Sequence, residues 1–117
     1  MPMSDEERRL PEIQVNARQL RDVAKDAWDA LVAMNEPPIL FRKGPGLARR
    51  VETETGVYMF PVRRAALFGL LIRAADWIKV TPKGSVAARP PPAVVADMLR
   101  FPDPRLPNAD GVDFARV

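Results

Sequence analysis

The sequence predicts an α+β fold in one small domain: a helix, then a three-stranded antiparallel meander, a second buried helix and a short third helix. Apolar residues recur at helical spacing in three separate stretches, and residues 39–60 combine strand-forming residues with closely spaced turn signals. A chain of 117 residues can bury one hydrophobic core but not two. A hydrophobic share of 47% argues against disorder despite 13 prolines.

The first helix has the clearest sequence signals. Asn16 is a good N-cap, Gln19 has the spacing of its capping-box partner, and Val15 with Leu20 has the spacing of a hydrophobic staple. The prolines of residues 35–38 end the helix because residues before proline avoid the α region. Its apolar stripe consists of Leu20, Val23, Ala24, Ala27, Leu31 and Met34.

A small meander is predicted after this helix. Residues 39–43 and 47–53 flank Gly44-Pro45-Gly46, which is typical of a hairpin connection. Residues 54–56 form a second turn signal, and residues 57–60 are rich in strand formers.

The second half of the chain predicts two further helices. Pro61 lies near the start of the second helix, which runs to about Trp77 and is apolar enough to be mostly buried. Residues 77–81 are a candidate short strand, and residues 93–100 form the third helix. The domain is therefore expected over residues 13–107, between an acidic leader (1–12) and a tail (108–117). The predicted core comprises Leu20, Val23, Ala27, Leu31, Phe41, Val51, Leu67, Leu70, Leu71, Ile78, Val95 and Leu99.

The composition argues against an enzyme. Without cysteine or histidine there is no thiolate nucleophile, no neutral-pH imidazole base and no usual transition-metal ligand. Asp22, Asp26 and Asp29 have helical spacing, but basic residues surround them, which favours an ion-paired helix face over a metal site. We expect no catalytic residues, no metal and no cofactor. The leader lacks an apolar signal core, so a cytoplasmic protein without membrane attachment is expected.

Positive charge is concentrated in the middle of the chain. Residues 1–38, 39–90 and 91–117 carry net charges of −3, +7 and −1, which sum to the total of +3. A phosphate backbone is expected to bind the central segment. The alternative is that these side chains only solvate the polar face of a sheet. The predicted nucleic-acid-binding residues are Arg42, Lys43, Arg49, Arg50, Arg63, Arg64 and Lys83.

Two aromatic residues accompany this basic segment. Tyr58 and Phe60 alternate on a strand beside the basic hairpin, as do aromatic residues that stack on unpaired bases in sheet-based nucleic-acid-binding domains. A place in the hydrophobic core is the favoured interpretation of both.

Several short segments together resemble a domain found in replication proteins of bacteriophages, prophages and integrative elements. The resemblance covers about residues 13–107 and rests on Ile13-Gln14-Val15-Asn16, residues 18–22, Asn35-Glu36-Pro37-Pro38 with Leu40-Phe41, Arg73-Ala74-Ala75-Asp76-Trp77, Val80-Thr81, Pro90-Pro91-Pro92 with Val94-Val95 and Leu99, and Leu106-Pro107. It implies a non-catalytic module beside a primase or helicase domain. It carries over no functional residue, and the end at Val117 is compatible with a segment of a longer chain.

Three functions remain open from the sequence. The first is a nucleic-acid-contacting accessory domain of a mobile-element replication protein, with DNA preferred over RNA and with other domains of that protein as partners. The second is a protein-interaction or spacer module whose basic face docks an acidic partner or a neighbouring domain. A small enzyme is the weakest of the three, because its usual catalytic side chains are missing.

Overall fold

The computed structural model describes residues 10–109 and the backbone of residues 115–116, and these form helices and two β-sheets. The leader residues 1–9 and the tail residues 110–114 and 117 lie outside the described residues. The helices are α1 (Leu20–Met34), α2 (Arg64–Ala74) and α3 (Pro92–Arg100). The strands are β1 (Glu12–Gln14), β2 (Leu40–Lys43), β3 (Gly46–Thr53), β4 (Gly56–Pro61), β5 (Asp76–Thr81), β6 (Gly84–Ala87) and β7 (Ala115–Arg116).

The larger sheet contains the predicted meander. Its strand order is β2-β3-β4-β7, and all three pairings are antiparallel. The loop between β2 and β3 is only two residues long, and its first residue, Gly44, has a φ of 57°. Positive φ at that position is what a two-residue hairpin turn with matching strand twist requires. The α+β class and the three-stranded meander are thus confirmed.

A second sheet was not predicted from the sequence. Its order is β1-β5-β6, with β1 parallel to β5 and β6 antiparallel to it. Ile13 lies opposite Trp77, and both side chains are buried. The candidate strand at residues 77–81 is therefore real, but it is the centre of a sheet whose two flanking strands are only three and four residues long.

The start of the first helix differs from the prediction. The helix begins at Leu20 with Gln19 as N-cap, and Gln19 makes no side-chain capping bond. Asn16 instead continues the pairing of β1 with β5: its Nδ2 donates to the Val80 carbonyl at 2.8 Å, and its Oδ1 accepts from the Val80 N–H at 3.0 Å. The capping prediction was wrong because the side chain of Asn16 bonds a strand, not the helix end.

The second helix is shorter at both ends than predicted. Pro61 still belongs to β4, where it lies opposite Ala48, so the helix starts at Arg64. At the other end the chain becomes extended at Ala75, and Trp77 lies in β5. The Trp77 ring N–H donates to the Leu71 carbonyl at 2.9 Å, which satisfies its polar atom inside the core.

One main core joins the three helices to both sheets. Val23, Ala27 and Leu31 of α1 are at most 2% exposed, as the sequence predicts. Leu20 was wrongly assigned to the core, because it is 44% exposed on the first turn of α1. The other predicted core residues divide into buried ones, namely Leu67, Leu70, Leu71 and Val95, and half-buried ones, namely Phe41, Val51, Ile78 and Leu99.

The connection between α1 and β2 is held by one buried polar side chain. Asn35 Oδ1 accepts from the backbone N–H groups of Ile39 and Leu40, both at 2.9 Å. Its Nδ2 donates to the Leu40 carbonyl, also at 2.9 Å. These three bonds fix the point at which the chain leaves the helix and enters the larger sheet.

Within the described residues, no helix combines the length and apolar character that a membrane crossing requires.

Candidate nucleic-acid interface

The two faces of the larger sheet have different surroundings. We call the face that carries Leu40, Leu47 and Val62 the inner face, because these residues belong to the main core under the helices. The opposite, outer face carries Ala48 and Met59, which form a second small cluster with Ala109. Side chains alternate between the faces along each strand, so the face of every basic residue follows from its position.

Alternation separates the two basic pairs of the hairpin. Arg42 lies opposite Leu47, and Arg49 lies opposite Leu40, so both arginines belong to the inner face. Lys43 and Arg50 belong to the outer face. The four residues that the sequence groups into one basic hairpin therefore divide equally between two surfaces.

On the outer face, the tail and an acidic neighbour occupy part of the surface. Arg50 forms an ion pair with Glu52 at 2.8 Å. Ala109 packs against Ala48 and Met59, and the backbone of Ala115–Arg116 pairs with β4. The outer face is thus partly covered, and its one described arginine has an anionic partner.

On the inner face, Arg42 forms hydrogen bonds with residues 106–109. The Arg42 N–H donates to the Pro107 carbonyl at 2.8 Å, and the Arg42 carbonyl accepts from the Ala109 N–H at 2.7 Å. Its side-chain Nε donates to the Leu106 carbonyl at 3.1 Å. Arg42 therefore joins the segment around Leu106, which is buried in the core, to the edge of the sheet.

Beyond the helix-covered part of the inner face lies a surface that we call the open patch, made of Arg49, Val51, Tyr58 and Phe60. Arg49 is opposite Phe60, and Val51 is opposite Tyr58. Phe60 is 45% exposed, and the other three are half-buried. The core interpretation of Phe60 is therefore wrong: the main core includes Leu40, Leu47 and Val62 on this face and leaves Phe60 exposed.

The aromatic rings of the open patch have a fixed arrangement. The centroids of Tyr58 and Phe60 are 6.1 Å apart, and their planes differ by 26°. The hydroxyl of Tyr58 is 2.9 Å from the hydroxyl of Thr55 in the turn between β3 and β4. This contact restrains the Tyr58 ring on the strand.

The remaining predicted site residues lie in two places. Arg63 and Arg64 come two and three residues after the end of β4 and are exposed. The backbone at Arg63 is extended and its neighbour Val62 is on the inner face, so alternation directs Arg63 away from that face, and Arg64 is the first residue of α2. Lys83 is in the turn between β5 and β6, which belongs to the other sheet. Among residues 10–109 and 115–116, no ion pair involves Arg49, Arg63, Arg64 or Lys83.

Of the three acidic residues of α1 predicted to be ion-paired, Asp26 and Asp29 are, and Asp22 forms no ion pair within the described residues. Asp26 contacts Arg18, and Asp29 contacts Lys25 at 3.3 Å and Arg105 at 2.9 Å. The hydrogen bond from Arg105 holds the pKa of Asp29 below its ordinary value. In the part of the chain that the structure describes, no group of acidic side chains is arranged to hold a metal ion.

Arg105 has a second partner, Asp103, whose carboxylate accepts from its guanidinium at 2.8 Å. This bond lowers the pKa of Asp103. Hydrogen bonds to Asp103 and Asp29 raise the pKa of Arg105 above its ordinary value.

The sequence contained a signal for the open patch that charge counting misses. Leu47, Arg49 and Val51 alternate along one strand, which places Arg49 on the apolar face and separates it from Arg50. The covering role of residues 106–109 has no such signal, because that segment lacks periodicity. Comparison with protein-family models, with curated proteins and with solved structures finds no match for this chain.

Proposed function

We propose that the chain is a non-catalytic, nucleic-acid-contacting accessory domain that holds a phosphate backbone with Arg49, Arg63 and Arg64. The observation that supports this most directly is that these arginines make no ion pair within the described residues, with Arg49 on the open patch and Arg63 and Arg64 shortly after the end of β4. The resemblance to a domain of mobile-element replication proteins provides the wider context: cytoplasmic DNA replication, beside a primase or helicase domain.

The ion pairs of the described residues leave the three proposed contacts free. Arg18 and Lys25 pair with carboxylates of α1, and Arg105 pairs with Asp29 of α1 and with Asp103. Arg50 pairs with Glu52. The segment 39–90 has ten basic and three acidic residues. Unpaired arginines beside an uncovered surface attract a polyanion, because counterions released from phosphates supply the free energy of binding.

The test is a comparison of two triple variants with equal loss of charge. The first is Arg49→Gln with Arg63→Gln and Arg64→Gln, which removes the proposed contacts and keeps side-chain length. The matched control replaces Arg73, Lys79 and Arg89, which are also exposed and form no ion pair within the described residues. Binding is measured by fluorescence anisotropy with labelled oligonucleotides at about 50 mM salt, where screening is weak.

The unmutated domain should bind weakly, and log K should fall linearly with log salt. Three phosphate contacts give a slope of about −2 to −3, and the first variant should lose most of that slope. The control variant should keep it. Equal losses in both variants, or no binding by the unmutated domain, would contradict the proposal.

A second candidate function is a protein-interaction module. Strand β6 is an exposed edge strand, and it borders a groove of about 580 Å³ whose lining includes Ile72, Trp77 and Val86. Edge strands with unpaired backbone groups accept an added strand from a partner. If the charge variants show no localised effect, the interaction module becomes the better interpretation.

A further inference from the structure

We infer that the open patch binds unpaired bases, so that the domain selects single-stranded nucleic acid over duplex. This inference rests on the proposed function, because it assigns the strand type to the same site. The ligand is recognised by two chemical features together: an aromatic base face that stacks on Tyr58 and Phe60, and a phosphate that meets Arg49.

The first support is the exposure of an aromatic pair where burial is the expected outcome. Phe60 is 45% exposed on the inner face of the larger sheet, the face that elsewhere packs under the helices. Tyr58 lies two residues before it on the same face, and its hydroxyl contacts Thr55 at 2.9 Å. Restrained aromatic rings on a sheet lose little conformational entropy when a base stacks on them.

The second support is what surrounds the rings. Arg49 lies directly opposite Phe60 on β3, and Val51 lies directly opposite Tyr58. Cross-strand partners of this kind have Cβ atoms roughly 5 Å apart, so a guanidinium and an aliphatic side chain border the two rings. An arginine beside an aromatic platform neutralises the phosphate of the nucleotide whose base is stacked.

The charge around the patch fits the same occupant. Arg63 and Arg64 come two and three residues after the end of β4. Glu52 lies on the outer face and Asp76 in the other sheet, while Glu54 lies in the turn between β3 and β4, at the Tyr58 end of the patch. A phosphate backbone that continues from Phe60 toward the start of α2 therefore runs away from Glu54 and toward these arginines.

The ring spacing favours a single strand over a duplex. The two ring centroids are 6.1 Å apart, whereas successive nucleotides within a strand of B-DNA rise only about 3.4 Å. A strand that places bases on both rings must therefore be stretched and unstacked. In a duplex, the stacking of successive base pairs covers the base faces and prevents this arrangement, which is why aromatic residues on a sheet bind unpaired nucleotides.

The experiment compares three ligands of equal length: a 12-nucleotide single strand, the same phosphate backbone with abasic sites, and the matching duplex. The protein variants are Phe60→Ala and the milder Phe60→Leu, each as the whole 117-residue chain. Phe101→Ala is the matched control, because Phe101 is 60% exposed beside an arginine, with the Arg100 guanidinium 5.3 Å from its ring centroid.

We expect Phe60→Ala to weaken single-strand binding by about 5- to 150-fold, the usual range for one stacked base. Phe60→Leu should give a smaller loss in the same direction. Binding to the abasic strand and to the duplex should stay within about twofold, which also shows that the variants are folded. Phe101→Ala should change none of the three affinities.

A second readout does not depend on any variant. A single strand that contains 2-aminopurine should lose base fluorescence when the unmutated domain binds it, because stacking on an aromatic ring quenches this base. An RNA strand of the same sequence shows whether the patch distinguishes the sugar.

The outcomes separate this inference from the proposed function. The unmutated domain could bind all three ligands with equal, salt-dependent affinity and leave 2-aminopurine unquenched. That result would contradict base stacking but not binding to the phosphate backbone. The inference is supported if Phe60→Ala loses affinity for the single strand but keeps its affinity for the abasic strand. The arginine variant should lose affinity for the abasic strand. No binding of any ligand would refute both.

Discussion

Replacing Asn35 by alanine should destabilise the domain more than any other single removal of polar groups in the described residues. Asn35 is 9% exposed, and its side chain makes three hydrogen bonds of 2.9 Å to backbone groups of Ile39 and Leu40. Each such bond contributes about 1 kcal/mol net, and an unsatisfied buried group costs about 1–3 kcal/mol. Leu40 is buried, so water does not replace its two lost bonds. The expected loss in the free energy of unfolding is about 3 kcal/mol.

The matched control is Asn16→Ala. Asn16 also makes two hydrogen bonds to backbone, at 2.8 and 3.0 Å to Val80, but Val80 is 43% exposed. Water satisfies those groups after the substitution, so the control should lose no more than about 1 kcal/mol. Both values come from urea unfolding followed by the fluorescence of the buried Trp28 and Trp77, with an unchanged denaturant slope. A loss below about 0.5 kcal/mol for Asn35→Ala, or equal losses for both variants, would refute the argument that burial sets the difference.

Three further outcomes are expected. Leu70→Ala and Leu71→Ala should each cost about 2–5 kcal/mol in urea unfolding, because both leucines are at most 1% exposed; losses below about 0.5 kcal/mol at both would show that α2 does not pack as described. The pKa values of Asp29 and Asp103 are lowered from the ordinary value of 3.8 in the folded state, so their contribution to stability is present above that value and is lost as the pH falls through the lowered pKa values. Arg105→Gln should flatten that loss in unfolding curves taken over this acidic range. Purified domain should turn over neither nucleotides nor nucleic acid with or without added Mg²⁺, and metal-dependent turnover that survives repurification would contradict a non-catalytic role.

The parts of the fold that the sequence predicts well are those with strong local patterns. Helix α1 repeats its apolar residues over four turns, and its end at Met34 precedes the prolines that stop it. The meander carries a two-residue glycine-proline turn between β2 and β3. In both places the decisive interactions lie within about ten residues of each other, so a pattern along the chain is sufficient.

The smaller sheet could not be predicted because its interactions are distant. Strand β1 has three residues, too few for a period-two pattern, and its parallel partner β5 starts at Asp76. Asn16 shows the same limit: its pattern with Gln19 matches a capping box, yet Val80 provides the better bonds. Where a polar side chain has both a local and a distant partner available, the sequence alone does not determine which one it bonds.

The candidate site shows a different limit. Strand alternation was sufficient to separate Arg42 from Lys43 and Arg49 from Arg50, because neighbours in a strand point to opposite faces. It was not sufficient to find that Phe60 is exposed, since that depends on how far the helices extend over the inner face. The extent of the core over a sheet face is a tertiary property, and here it includes Leu40, Leu47 and Val62 and leaves Phe60 exposed.

The strength of any polyanion binding is set by the basic residues that the fold leaves available, not by the net charge of +7 over residues 39–90. Arg42 is bonded to the Leu106 carbonyl, Arg50 is paired with Glu52, and Lys83 lies in the turn of the other sheet. Of the residues proposed to contact phosphate, Arg49 lies on the open patch, and Arg63 and Arg64 lie beyond the end of β4. Three phosphate contacts give only weak, salt-sensitive affinity. Affinity useful at physiological salt must then come from stacked bases or from a neighbouring domain that shares the strand, because linked weak sites raise one another's effective concentration. The proposed function is therefore that of a domain that would guide a strand past a neighbouring activity and would not hold it alone.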